Sequence, residues 1–212
     1  MPLTVTQSIS YSFFGGTPKQ QKKVDTVIPE WSQYANITFE RVSDAAADAA
    51  VRISFDPQSG SWSYVGTVVK TIVHPRITMN LGWIDDSDGL SPDEHGVIMH
   101  EWGHTLGLMH EHQVYLISFP GYRNSPYIFI QSPARGGKLH LNEDAVYAYY
   151  MATQKWDRAT VKSQIIDVYN ATAVSNYSAL DLTSVMMYAS AISRSIHFPL
   201  TAKISGISCP LP

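Results

Sequence analysis

The feature that most constrains this chain is a segment in which a helix must begin, carry two histidines on one face and then stop. Ser91–Glu94 combines a serine cap, a proline at the first helical position and an acidic residue three places after the cap. This combination predicts a helix that begins at Pro92. Further along, His100 and His104 lie four residues apart. Four residues turn a helix by about 400°, so both imidazole rings are expected on the same face.

Gly107 predicts where this helix ends. If the helix continued, His110 would lie about 600° beyond His104 and would project from the opposite side. A glycine can end a helix in a left-handed turn without a steric penalty, and Gly107 follows His104 by three residues. The chain can then double back, so that His110 joins the other two histidines at one point.

Three neutral imidazoles at one point are the typical protein ligands of a catalytic zinc ion, because they leave a fourth coordination position open. We therefore expect His100, His104 and His110 to bind Zn²⁺. Glu101 lies beside the first ligand, where its carboxylate can take a proton from a zinc-activated water and later pass it to a leaving amine. Unrelated surface or core histidines would leave this combination of residues unexplained.

The other histidines and one acidic run are expected to have ordinary structural roles. His112 is expected to be solvated or to lie behind the ligands, because three ligands already fill the usual set. The run Asp85–Gly89 lacks the closing glutamate of an EF-hand and is expected to be a plain turn. The histidines without ligand spacing are His74, His95, His140 and His197.

Length and composition exclude several other classes of protein. The 212 residues, 44% of them hydrophobic, suffice for one globular domain. A net charge of −3 without a Lys/Arg block argues against a nucleic-acid partner. No apolar stretch approaches the roughly 18 residues needed to span a bilayer. Cys209 is the only cysteine, which excludes an intrachain disulfide, and no signal peptide is visible at the N-terminus.

The segment that contains the three histidines resembles that of a known family. The segment His100–Glu111 is similar to the zinc-binding motif of the metzincins, which are zinc endopeptidases, and Glu111 after the third histidine resembles the astacin branch. Ser184–Tyr188 is similar to the astacin Met-turn. The resemblance implies that Met186 underlies the zinc site. It also implies that Tyr188 is a further zinc ligand and a catalytic residue that stabilises the oxyanion.

The resemblance runs loosely from about residue 9 to residue 188 and implies an α+β fold of one catalytic domain, residues 1–212. The implied N-terminal lobe, about residues 1–107, has a twisted mixed sheet with two helices. The implied C-terminal lobe, about residues 108–212, is smaller and irregular or helical, and the zinc cleft lies between the lobes. Arg76–Trp83 is expected to be the edge strand that pairs with an extended peptide. Protein or peptide substrates, secretion and a monomer are the further expectations.

Residues 114–131 depart from the family pattern. They separate Gln113 from Ser132 and are rich in aromatic and β-branched residues. Two interpretations remain open: a short retained intron in the gene model, or a lineage-specific loop. Transcript reads that all include the segment would contradict the first. The segment also suggests an alternative function, a catalytically inactive zinc-binding interaction module whose cleft the insertion occludes.

Overall fold

The computed structural model describes residues 7–46, 48–110, 143–167 and 184–186. These residues belong to two compact units. The first unit ends at Leu108 and the second begins at Met109. No helix within the described ranges is long and apolar enough to cross a bilayer.

A five-stranded sheet forms the centre of the first unit. Its strands are β1 (Gln7–Phe13), β2 (Ile37–Arg41), β3 (Val51–Ser54), β4 (Ser61–Ser63) and β5 (Met79–Leu81). Their order in the sheet is β2-β1-β3-β5-β4. The β1–β2, β1–β3 and β3–β5 pairs are parallel, whereas β4 runs antiparallel to β5. The sheet is therefore mixed, and together with the helices it confirms the expected α+β class.

The expectation that Arg76–Trp83 is the edge strand of the sheet was wrong. Met79–Leu81, within the expected strand Arg76–Trp83, form β5, which pairs with β3 on one side and with β4 on the other. Among the described strands β4, Ser61–Ser63, therefore lies at this end of the sheet. Three residues are too short for an alternation of apolar and polar side chains to predict a strand.

The helices of the first unit begin where capping residues predict them. They are α1 (Pro18–Val27) and α2 (Pro92–Thr105), with short 3₁₀ helices at Ile28–Gln33 and Gly66–Thr71. Thr17 Oγ1 accepts from Gln20 N at 3.2 Å, and Thr17 N donates back to Gln20 Oε1 at 2.9 Å. Next to Pro29, α1 gives way to a 3₁₀ helix, because proline removes a helical hydrogen bond.

The core of the first unit lies between the sheet and α2. Trp102 of α2 is fully buried. Its ring makes edge-to-face contacts with Tyr11 of β1 at 5.7 Å and with Phe39 of β2 at 5.1 Å between centroids. Phe13, Ile53 and the whole of β5 are also buried. This packing fixes α2, which carries the candidate ligands, against the sheet.

The acidic turn after β5 is held by α1. Asp85 Oδ1 accepts from Lys23 Nζ at 2.8 Å, and Asp88 Oδ1 lies 2.9 Å from Lys19 Nζ. Asp86 accepts a hydrogen bond from the Thr17 hydroxyl. Side chains of the protein therefore use the carboxylates that a calcium loop would direct at an ion, as expected for a plain turn.

The second unit contains two helices in its described part. These are α3 (Glu143–Thr153) and α4 (Arg158–Val161), and α4 continues as a π-helical turn over Lys162–Ile166. Asp157 caps α4, since its Oδ1 accepts from Thr160 N at 2.7 Å. Asn142, a candidate cap of α3 by its residue type, lies outside the described residues. The core cluster of this unit consists of Val146, Tyr147, Tyr150, Val161 and Ile165.

Candidate metal centre

Helix α2 is anchored at its first turn. Ser91 Oγ accepts from Glu94 N at 3.2 Å, and Glu94 Oε2 accepts from Ser91 N at 2.9 Å, which completes the predicted capping box. Glu94 Oε1 also accepts from Lys23 Nζ of α1 at 2.5 Å. The start of the helix is thereby tied to the neighbouring helix through a buried ion pair.

The helix ends at the predicted glycine turn. Gly107 has a φ of +96°, in the left-handed region that glycine adopts without steric cost. Gly107 N donates to His104 O at 2.8 Å, and Leu108 N donates to Gly103 O at 2.9 Å. These bonds satisfy carbonyl groups that would otherwise be unpaired at the helix end. The chain leaves the helix axis here, which is the step that the sequence predicts before His110.

The three predicted histidine ligands come together. One ring nitrogen from each of His100, His104 and His110 lies within 4.8 Å of the other two. The rings of His100 and His104 meet edge to face with centroids 4.7 Å apart. His104 and His110 are buried, and His100 is half-buried. Within the described ranges, these three form the one group of three or more potential metal ligands.

The ring of His104 is oriented by the backbone of the glycine turn. Its Nδ1 lies 2.8 Å from Leu108 O. Because a carbonyl oxygen only accepts, Nδ1 carries the proton, and the lone pair of the neutral ring then lies on Nε2. Burial lowers the pKa of His104 below its usual value and outweighs the opposing effect of the Leu108 carbonyl. The neutral form is the one that binds a metal.

Glu101 is a buried carboxyl group beside the histidines in sequence. It is 4% exposed, and its Oε2 has no hydrogen-bond partner. Burial raises the pKa of Glu101 to about 8. An ionised carboxylate with an unpartnered oxygen is costly to bury, and burial therefore favours the neutral form of Glu101 here. The three-histidine group fits a divalent metal, and nitrogen donors favour zinc over magnesium or calcium.

Of the remaining predicted site residues, Met186 alone lies within the described ranges. Met186 is described and 3% exposed, within a short turn in which Met186 N donates to Ser184 Oγ at 3.1 Å. Tyr188, Glu111 and His112 lie outside the described residues, as does the segment 114–131.

Two other histidines have partners elsewhere in the first unit. His95 Nε2 lies 2.9 Å from Glu30 Oε1. The exposed His74 lies with its Nε2 3.1 Å from Arg52 Nη1. Both agree with the ordinary structural roles expected of them.

Sequence reasoning missed two groups next to the candidate ligands. The Leu108 carbonyl carries no signal, because every residue has one. Ser63 Oγ lies 2.9 Å from Thr105 Oγ1, and this contact joins residues far apart in the chain. It depends on β4, which the sequence did not predict.

The chain is similar to known proteins in both sequence and structure. The family model of astacin, a family of peptidases, matches residues 4–115, more than half of the chain. One solved structure of myroilysin has a TM-score of 0.67 and 34% identity, covering 86% of this chain and 78% of that one. A second structure of myroilysin has a TM-score of 0.56 and 31% identity, covering 89% of this chain and 74% of that one.

Two more distant relatives were found by sequence. Stromelysin-1 of Mus musculus is 27% identical over 155 residues, which are 65% of this chain and 30% of that protein. Matrix metalloproteinase-2 of Drosophila melanogaster is 26% identical over 122 residues, 50% of this chain and 16% of that protein. The chain thus spans less than a third of the length of either relative.

Proposed function

This chain belongs to the astacin family of peptidases, and on that premise we propose that it is a zinc-dependent endopeptidase. The resemblance stated from the sequence motifs is thereby confirmed at the level of the family. The observation that carries the proposal is the convergence of three imidazole nitrogens within 4.8 Å in the segment that also holds the buried Glu101, whose Oε2 has no hydrogen-bond partner.

His100, His104 and His110 would hold the zinc ion. Their convergence within 4.8 Å and their nitrogen donors support this set of ligands. When bound, zinc supplies Lewis acidity that lowers the pKa of water and polarises the scissile carbonyl. The hydrogen bond from His104 to the Leu108 carbonyl supports a neutral ligand in the correct tautomer.

Glu101 would act as the general base. Its carboxylate takes a proton from the attacking water as the new C–O bond forms at the scissile carbonyl carbon. The protonated Glu101 then delivers that proton to the leaving amine nitrogen as the C–N bond breaks. The burial of Glu101, next in sequence to the candidate ligand His100, supports this role.

Tyr188 would assist as a further zinc ligand that stabilises the oxyanion of the transition state. This role rests on the family resemblance of Ser184–Tyr188. The buried Met186 of the same turn would underlie the ligands.

The substrate would be a protein or peptide in extended conformation that pairs with β4. Tyr64 N donates to Thr78 O and Gly82 N donates to Gly60 O across the β4–β5 pair. In an antiparallel ladder the intervening backbone groups point the other way. The N–H and C=O groups of the half-buried Ser63 would therefore meet the peptide, since Ser61 is already buried. We further propose a secreted monomer, with residues 1–212 as one catalytic domain.

Glu101→Gln tests the proposed mechanism. The variant should retain about one equivalent of zinc and lose 10²–10⁴-fold in kcat, because the amide cannot accept the proton. Digestion of casein and measurement of bound metal provide the two readings. Glu40→Gln, on an exposed carboxylate of β2, is the matched control and should keep full activity. Undiminished caseinolysis by Glu101→Gln would refute the role of Glu101.

The alternative of an inactive zinc-binding interaction module is not favoured, because the family is one of peptidases and one aligned relative is a metalloproteinase by name. Bound zinc near one equivalent with no turnover of any protein substrate by the unaltered chain would favour that alternative.

A further inference from the structure

Gly66 lies directly against the glycine turn that ends α2. It begins the 3₁₀ helix that follows β4, and its φ is +53°. A Cβ atom built at Gly66 would lie 3.3 Å from Gly107 Cα, closer than most real side-chain contacts. An alanine at this position would therefore force Gly107 to move by a few tenths of an ångström.

Gly107 is connected to His104 from two sides. Its own N–H donates to the His104 carbonyl at 2.8 Å. The next residue, Leu108, supplies the carbonyl that accepts from His104 Nδ1, also at 2.8 Å. A displacement of Gly107 therefore shifts both the backbone and the ring partner of the same candidate ligand.

A second contact joins the chain before Gly66 to the end of α2. Ser63 Oγ of β4 lies 2.9 Å from Thr105 Oγ1, in the residue that follows His104. Thr105 is buried and Ser63 is half-buried, so this hydrogen bond is partly shielded from water. The segment from Ser63 to Gly66 and the end of α2 are thus held together by one hydrogen bond and one close backbone approach.

We propose that Gly66 is a positioning residue for the zinc site: its close contact with Gly107, supported by the Ser63–Thr105 hydrogen bond, fixes the Leu108 carbonyl that orients His104. The inference rests on the proposed function, because it assigns His104 as a zinc ligand. Groups that orient a metal-bound histidine typically contribute 10–100-fold to metal affinity. Neither the histidine motif nor the Met-turn contains Gly66.

The test compares two glycine-to-alanine variants of the full chain. Gly66→Ala introduces a side chain at a positive φ and also a contact with Gly107. Gly89→Ala introduces a side chain at a φ of +86° with no atom within 4 Å. Both variants carry backbone strain, but only the first presses on the turn that ends α2. Zinc affinity is measured by competition with a chromophoric chelator.

We expect Gly66→Ala to weaken zinc binding by about tenfold, and Gly89→Ala to leave it within about twofold of the unaltered chain. Equal affinities in both variants would overturn the proposal. If Gly66→Ala does not fold, as judged by the circular dichroism of the zinc-free chain, Thr105→Val replaces it. That variant keeps the side-chain shape and removes the hydrogen bond. Unchanged zinc affinity in Thr105→Val would then overturn the proposal.

The same titration separates this inference from the proposed function. An unaltered chain that binds no zinc would contradict the proposed function itself. An unaltered chain that binds zinc tightly, with both alanine variants indistinguishable from it, would contradict the role of Gly66 alone.

Discussion

The ammonium group of Lys23 is a buried charge of the first unit, and it is paired with two carboxylates. Its side chain is 5% exposed, and its ammonium group contacts Glu94 and Asp85. Burial alone would lower the pKa of Lys23, but the hydrogen bonds to both carboxylates outweigh it and raise that pKa. The residue joins α1 to the acidic turn and to the first turn of the histidine-bearing helix. No feature of the sequence distinguishes Lys23 from Lys22 beside it.

Lys23→Met is expected to lower the free energy of unfolding by about 3 kcal/mol, because it leaves the buried Glu94 carboxylate without its cation. Urea unfolding followed by tryptophan fluorescence measures the change. Lys22→Met is the matched control, since Lys22 lies on the same helix outside this buried cluster, and should change stability by less than about 0.5 kcal/mol. A similar loss in both variants would contradict the importance of the ion pair.

The same cluster of Lys23, Asp85 and Glu94 should make the free energy of unfolding depend on pH. Burial opposes ionisation of Glu94, but its bonds to Lys23 and Ser91 prevail and lower its pKa below 4.5. Hydrogen bonds from Lys23 and Ser87 lower the pKa of Asp85. Groups with a lowered folded pKa stabilise the protein above their unfolded pKa. That stabilisation should be lost as the pH falls below about 4. The loss of stability over this range should be smaller in Lys23→Met than in the unaltered chain.

The helices show how far sequence reasoning extends and where it stops. Both ends of α2 were predictable, because a capping box and a glycine turn depend only on residues that are close together in the sequence. The strand β4 was not, since a three-residue strand is defined by its partner β5 rather than by its own pattern. The candidate ligands were predictable for the same local reason. Their orienting contacts at Leu108 and Gly66 depend on the fold and were not.

Ser91 allows the strength of the helix start to be measured. Ser91→Ala should lower the free energy of unfolding by about 1 kcal/mol, because the Glu94 backbone N–H loses its side-chain acceptor. Ser91→Gly should cost only a few tenths of a kcal/mol, since glycine suits the extended backbone of a cap and leaves the N–H accessible to water. Urea unfolding of both variants gives the comparison, and the reverse ranking would contradict this account of the cap.

The molecule as a whole consists of two described units, and the three candidate ligands lie along the chain on both sides of the boundary at residues 108 and 109. The sequence anticipated the α+β class and the family, because both follow from local motifs and element types. It could not anticipate the order of the strands, which is set by pairing between distant segments.

Removal of zinc should lower the thermal stability of the whole chain. A ligand that binds only the folded state at 1,000 times its Kd stabilises by about 4 kcal/mol, which corresponds to roughly 8–16 °C in Tm for a chain of this size. Differential scanning calorimetry with chelator, and then with zinc restored, measures the shift. Calcium should not restore the Tm, because three imidazole nitrogens are poor ligands for a hard cation. Identical Tm values with and without zinc would contradict a metal centre that depends on folding.

The shortness of β4 also bears on the behaviour of the protein at high concentration. An open strand edge can template the association of one sheet with another and lead to aggregation. With only Ser61–Ser63 at this end of the described sheet, the edge is long enough to pair with a few residues of a passing peptide. It is too short to nucleate a continuous intermolecular ladder, so this edge should contribute little to aggregation.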